Sequence, residues 1–400
     1  MSSMKDLSSR VRSLNEPMTI GMARKSRELR AQGKDIISLS LGEPDFHIPE
    51  FVKQAAHQAI DNNFSQYPPV AGIQELREAI SRKLKRDNGL DYSPSQIVVS
   101  TGAKQSIANA VLSLVNPGDE VLIPAPYWVT YIEIVKFADG VPVIIPTDIS
   151  QDYKVTPDQL KKYITPKTKM LIFSSPCNPS GAIYTKDELA GLAQIISKKP
   201  DLYVVSDEIY ELIVFGEEMT SLASFPEVYN QTITINGLSK GYAMTGWRVG
   251  YMAAPEWIAL ACDKIQGQFT SGANTVAQHA AVAALNADPA EVRYMRNAFS
   301  ERLDRVLELV RDIPYMKVFR PPGAFYLFPD ISETFGKQAG ERIIKSSNDL
   351  CMYLLEEALV AIVPGEAFGS PKCIRLSFAA SMDELEEAMR RIREAFLKLT

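Results

Sequence analysis

From about Gln96 to Met252 the chain repeats one pattern: a short apolar run, a turn, then a stretch of helical periodicity. Brief apolar runs alternating with helices indicate a parallel sheet covered by helices. Ile97-Val98-Val99-Ser100-Thr101 reads as a strand, and Gly102-Ala103-Lys104 opens a helix to about Leu114. Further strands are expected at 121–123, 141–145, 170–173, 202–205, 232–235 and 249–252. Thr185 with Glu188 three residues on marks a helix start through a capping box. Pro142 either weakens its strand or places it near an edge, because it cannot donate to the ladder. The expected fold class is α/β, a mostly parallel sheet sandwiched by helices.

Four hundred residues exceed what one hydrophobic core holds. The pattern changes from about Asp288. A charged amphipathic helix covers roughly 290–311, strand signals lie at 324–328 and 373–377, and a helix runs from Met382 to about Leu399. This predicts a large domain over 46–289 and a smaller α+β domain from 1–45 and 290–400. With 46% hydrophobic residues and a net charge of −5, the chain has no global attraction for nucleic acid or an anionic membrane surface. The basic clusters Arg82-Lys83-Leu84-Lys85-Arg86 and Lys198-Lys199 read as helix ends or solvated faces. Cys177, Cys262, Cys351 and Cys373 form no paired motif and are expected as thiols. His47, His57 and His279 show no metal-ligand spacing, so no metal is expected. The N-terminus lacks a signal peptide's apolar core and no run reaches membrane-span length, which predicts a cytoplasmic protein.

Lys240 stands among small residues in Asn236-Gly237-Leu238-Ser239-Lys240-Gly241, with Arg248 further along. Small neighbours let a lysine point into a pocket and act as a nucleophile toward a carbonyl. The same stretch also reads as a surface turn. Asn178-Pro179-Ser180-Gly181 and Ser206-Asp207-Glu208-Ile209-Tyr210 likewise follow expected strands, where α/β sheets place ligands. Alone, Asp207 reads as a helix N-cap and Asn178 as a turn residue.

Together these segments, with Ile374-Arg375-Leu376-Ser377, Gly42-Glu43-Pro44-Asp45-Phe46 and Pro126-Tyr127-Trp128, resemble the signature set of class I, fold-type I aminotransferases. The resemblance spans nearly the whole chain and is greatest to the bacterial aspartate enzymes. It implies pyridoxal 5′-phosphate joined to Lys240 as a Schiff base, with Asp207 at the pyridine nitrogen and Asn178 and Tyr210 at the ring hydroxyl. Trp128 would stack on the ring, for which an indole is suited; Trp247 and Trp257 read as core packing. Arg248 and the helix start Gly102-Ala103-Lys104 would surround the phosphate, and Ser239 joins the cofactor-binding set. Arg375 would bind the substrate α-carboxylate as a fork, with Gly42, Trp128 and Asn178 against the substrate. Lys104 would supply charge for a distal carboxylate. Tyr67 would reach the neighbouring subunit's phosphate, implying a homodimer with shared active sites.

The implied reaction is ping-pong transamination between L-aspartate and 2-oxoglutarate, with Lys240 and Tyr210 beside Asp207 as the catalytic set. Competing readings are an aminotransferase of aromatic or broad specificity, including prephenate, and a carbon–sulfur β-lyase on the same cofactor. The aminotransferase-like half of a transcription regulator needs a DNA-binding segment that the chain has no spare length for. Asn15 is neutral near a position where relatives accepting prephenate carry a basic residue, which weighs against that second activity.

Overall fold

A computed structural model describes residues 7–14, 18–216 and 218–400. Seven strands form the central sheet: β1 (Ile97–Thr101), β2 (Glu120–Pro124), β3 (Val141–Ile145), β4 (Thr168–Ser174), β5 (Tyr203–Asp207), β6 (Thr232–Gly237) and β7 (Val249–Ala253). Their spatial order is β1-β7-β6-β5-β4-β2-β3. β7 runs antiparallel to both its neighbours, and every other pair is parallel. Pro142 does lie on an edge strand, as its missing N–H requires.

Alternation within the strands explains the continuous apolar runs. Val121, Ile123, Met170, Ile172 and Val205 pack to one face, with Ile107 and Val111 of a helix over Ala103–Leu114. Leu122, Leu171 and Val204 pack to the other, against Leu189, Leu192 and Ile196 of a helix over Lys186–Ile196. Each face is covered, so both parities are apolar. That second helix opens with the expected Thr185–Glu188 capping box.

The helices of the molecule include α1 (Met18–Ala31), α2 (Gln74–Asn88), α3 (Ala103–Leu114), α4 (Thr130–Phe137), α5 (Glu256–Phe269) and α6 (Met382–Phe396). A three-stranded antiparallel sheet joins β8 (Tyr326–Leu327), β9 (Val363–Pro364) and β10 (Ile374–Ser377) in the order β9-β10-β8. β8 is shorter than the apolar run 324–328 suggests, and Ala324 turns at φ +57° just before it.

One surface reading and one core reading need correction. Lys83 is 2% exposed and pairs with Glu211 inside the protein, although the basic residues Arg82, Lys85 and Arg86 of the same cluster face solvent. Trp257 is 51% exposed rather than core, because Ile258, Ala259 and Cys262 form the packed stripe of α5. All four cysteines are buried and free. Among the described residues no helix is long and apolar enough to cross a membrane, and no cluster of His, Cys, Asp or Glu could hold a metal.

Candidate active site

The carboxyl ends of β4, β5 and β6 open into a cavity of about 450 Å³, where an open α/β sheet places its ligands. One end is built for an anion. Gly102 (φ +81°) turns β1 directly into α3, whose first N–H groups have no helical partner. Arg248 stands over this turn, donating to the carbonyls of Thr245 (2.9 Å) and Thr101 (3.4 Å). Glycine is required twice here. A Cβ on Gly102 would strike the Arg248 guanidinium, and one on Gly250 would strike the Ala103 nitrogen. Arg248 itself takes φ +56°, a left-handed conformation uncommon for residues with a side chain.

Lys240, just beyond β6, donates to the Gly42 carbonyl at 2.5 Å. Burial pulls its amine down to about 8; Glu43 and Asp207 oppose this, while Arg375 and Arg248 push the same way. Asp207 is the last residue of β5 and is 4% exposed. Tyr131 donates to its carboxylate at 2.6 Å and the Ile209 N–H at 3.3 Å. Burial nonetheless pushes Asp207 up to about 6. A carboxylate so enclosed favours a cationic partner.

Arg375, on β10, is 3% exposed. It donates to Asn178 Oδ1 (2.9 Å) and the Ser40 carbonyl (2.6 Å), and its Nε has no partner. The rings of Tyr326 and Phe368 lie 4.6 and 4.9 Å from the guanidinium carbon, fixing its plane. Tyr210 and Tyr326 share a hydroxyl–hydroxyl bond of 2.7 Å. A side chain at Gly42 would strike that Tyr326 hydroxyl. Lys104 holds its ammonium 4.9 Å from the Trp128 ring, and partial burial and Arg248 both lower its pKa.

Gly42, Ala103, Lys104, Trp128, Asn178, Asp207, Tyr210, Ser239, Lys240, Arg248 and Arg375 thus all line one cavity, with Gly102 behind Arg248. Tyr67 is not among the lining residues; it is 94% exposed. Asn15 lies outside the described residues. Sequence reading missed Tyr131, Tyr326 and Arg27. Tyr131 sits three residues after Trp128, and the two rings meet edge to face with centroids 5.5 Å apart. Tyr326 reaches the site only through strand pairing, opposite Ser377.

The chain matches the model of the family "Aminotransferase class I and II" over residues 34–392. It belongs to that family. This aminotransferase is 47% identical to the bifunctional aspartate aminotransferase and glutamate/aspartate-prephenate aminotransferase of Petunia hybrida, covering 98% of this chain and 83% of the relative. It is 44% identical to the aspartate/prephenate aminotransferase of Nitrosomonas europaea, over 96% and 98% of the two chains. Its fold superposes on the crystal structure of an aspartate aminotransferase from Rhizobium meliloti with a TM-score of 0.96 and 39% identity, covering 99% of this chain and all of that one. The α/β reading is thereby borne out, and the enzyme acts on small amino and oxo acids.

Proposed function

We propose that this enzyme moves an amino group between L-aspartate and 2-oxoglutarate, using pyridoxal 5′-phosphate. The donor set fits that cofactor: a buried amine of lowered pKa, a helix start beside a fixed arginine, and an enclosed carboxylate. When bound, pyridoxal phosphate supplies an aldehyde that takes up an amine and a ring that accepts the electron pair left at Cα. Lys240 would hold it, and Arg248 with the N-terminus of α3 would hold its phosphate. Asp207 would keep the ring nitrogen protonated, with Asn178 and Tyr210 at the ring hydroxyl, Ser239 beside the phosphate and Trp128 along the ring face.

Arg375 orients the substrate through its α-carboxylate, for which the unpartnered Nε is a ready donor. Freed from the cofactor, Lys240 in its neutral form takes the Cα proton and returns it. The single observation that carries the substrate choice is Lys104. Its cation lines the cavity against Trp128 and suits a second carboxylate. The relatives named for aspartate transfer support the same choice.

We further propose a homodimer in which the partner's Tyr67 completes each phosphate site; its 94% exposure in one chain supports this. A division into residues 46–289 and 1–45 with 290–400, and a cytoplasmic location, belong to the same reading. The deciding experiment adds each amino acid to the cofactor-loaded enzyme and follows the cofactor absorbance, then analyses products. Aspartate should shift the band and yield oxaloacetate. A stronger response to phenylalanine, or ammonia and pyruvate released without an oxo-acid acceptor, would replace the assignment with an aromatic aminotransferase or a β-lyase. Prephenate as a better acceptor than 2-oxoglutarate would extend it toward the names of the relatives.

A further inference from the structure

Among the described residues five cations line the cavity, Arg27, Lys104, Lys240, Arg248 and Arg375, against one carboxylate, Asp207. Three already have fixed partners: Lys240 on the Gly42 carbonyl, Arg248 on Thr245 and Thr101, Arg375 on Asn178 and Ser40. Lys104 lies against Trp128. Arg27 makes no hydrogen bond or ion pair among the described residues. It comes from a different element, α1, where Met22, Ser26 and Leu29 form the buried stripe. One residue past Ser26 turns about 100° around the helix, which takes Arg27 off that stripe, and it lines the cavity along with Leu41 and Gly42. Arg30, one turn further, is engaged on the Ile36 carbonyl at 2.9 and 2.7 Å, and of the described arginines of this helix Arg27 is the one that lines the cavity.

We propose, building on the dicarboxylate reading of the site, that Arg27 is a specificity-determining residue: it binds the distal carboxylate of the five-carbon substrate, and Lys104 serves the four-carbon one. Both acids are held at the same α-carboxylate by Arg375, so one extra methylene carries the second carboxylate further from that anchor. Lys104 is fixed at the start of α3 against an indole and cannot follow far. Arg27 is long and exposed, and its planar fork accepts a carboxylate through two parallel bonds.

The test uses unreactive diacids on the cofactor-loaded enzyme, glutarate for the five-carbon length and succinate for the four-carbon, titrated by calorimetry. Arg27→Met should weaken glutarate by about tenfold or more and succinate by less than about threefold, the loss expected for one charge-assisted contact. Arg27→Lys should recover part of the glutarate affinity. Equal weakening of both diacids, no weakening, or a larger loss on succinate overturns the assignment. Wild-type turnover of aspartate with 2-oxoglutarate judges the parent reading separately. Its failure leaves the glutarate-to-succinate comparison intact as the measure of Arg27.

Discussion

Lys240 combines two demands that oppose each other in water: an amine must be uncharged to attack or to take a proton, yet lysine is ordinarily protonated. Burial resolves this by favouring the neutral form, and the value of about 8 puts the change within reach of physiological pH. In cofactor-free enzyme the labelling rate of Lys240 by an amine-reactive reagent should therefore rise through pH 8, since the reactive form lies above the pKa. A midpoint near that of a free lysine would remove burial as the cause. Lys104 makes a second prediction. Lys104→Ala should lower kcat/KM on aspartate, the four-carbon substrate, by about tenfold to a hundredfold relative to alanine, the loss of about 1.5–3 kcal/mol for a charged hydrogen bond. Equal losses on all substrates would assign Lys104 to the phosphate instead. Most of these side chains were legible from sequence because each follows a strand and carries a distinctive neighbour pattern. Tyr326 and Arg27 were not, because what brings them to the cavity is pairing of β8 with β10 and packing of α1, neither visible in local sequence.

Elements were read correctly where the apolar period was long, and misread where a charge run hid a buried face. α2 is the clear case: Leu76, Ala79, Ile80 and Leu84 are buried, and Lys83 shares their side of the helix. Its ammonium, with Asn88, meets Glu211 in the turn after β5, tying α2 to the segment that carries Tyr210. Lys83→Met leaves Glu211 buried without its counter-charge, so denaturant titration should show a loss of about 3–5 kcal/mol. Lys83→Met with Glu211→Leu should restore most of it. A single variant as stable as wild type would show that solvent reaches Glu211. A sequence window cannot reveal this pair, because Glu211 is remote along the chain.

At the scale of the whole molecule, a second buried acid, Glu208, follows Asp207 but lies outside the cavity lining. Ser206 and Ser221 donate to Glu208 Oε1, while Oε2 has no partner. Burial, with Glu211 adding to it, pushes this carboxyl from its ordinary 4.5 up to about 8, against the pull of the two serines and Lys83. The folded state then keeps a proton that the unfolded chain has lost. That contribution to stability is complete below pH 4.5 and fades as pH rises through 8. Glu208→Gln removes it, so the stability of the variant relative to wild type should increase from pH 5 to pH 8; parallel profiles would show Glu208 ionised throughout. The proposed dimer is testable by mixing. Lys240→Ala and Tyr67→Ala chains, each impaired alone, should regain activity together, because a hybrid dimer contains one site with both residues intact. No recovery in verified hybrids would confine each site to one chain.

The placement of β7 also bears on how the enzyme is made. β1 has a single neighbour, and that neighbour is β7, with Ile97 opposite Ala253 and Thr101 opposite Val249. During synthesis β2 to β6 can assemble as they emerge, while β1 waits for a strand translated long after it. Contacts of such large sequence separation form slowly and leave an unpaired edge exposed meanwhile. Gly102 and Arg248, which meet at the anion end of the cavity, flank those two strands. The anion end of the cavity, proposed above to hold the cofactor's phosphate, is therefore among the last parts of the sheet to close, and a nascent chain ending before Val249 lacks the strand that brings Arg248 over Gly102.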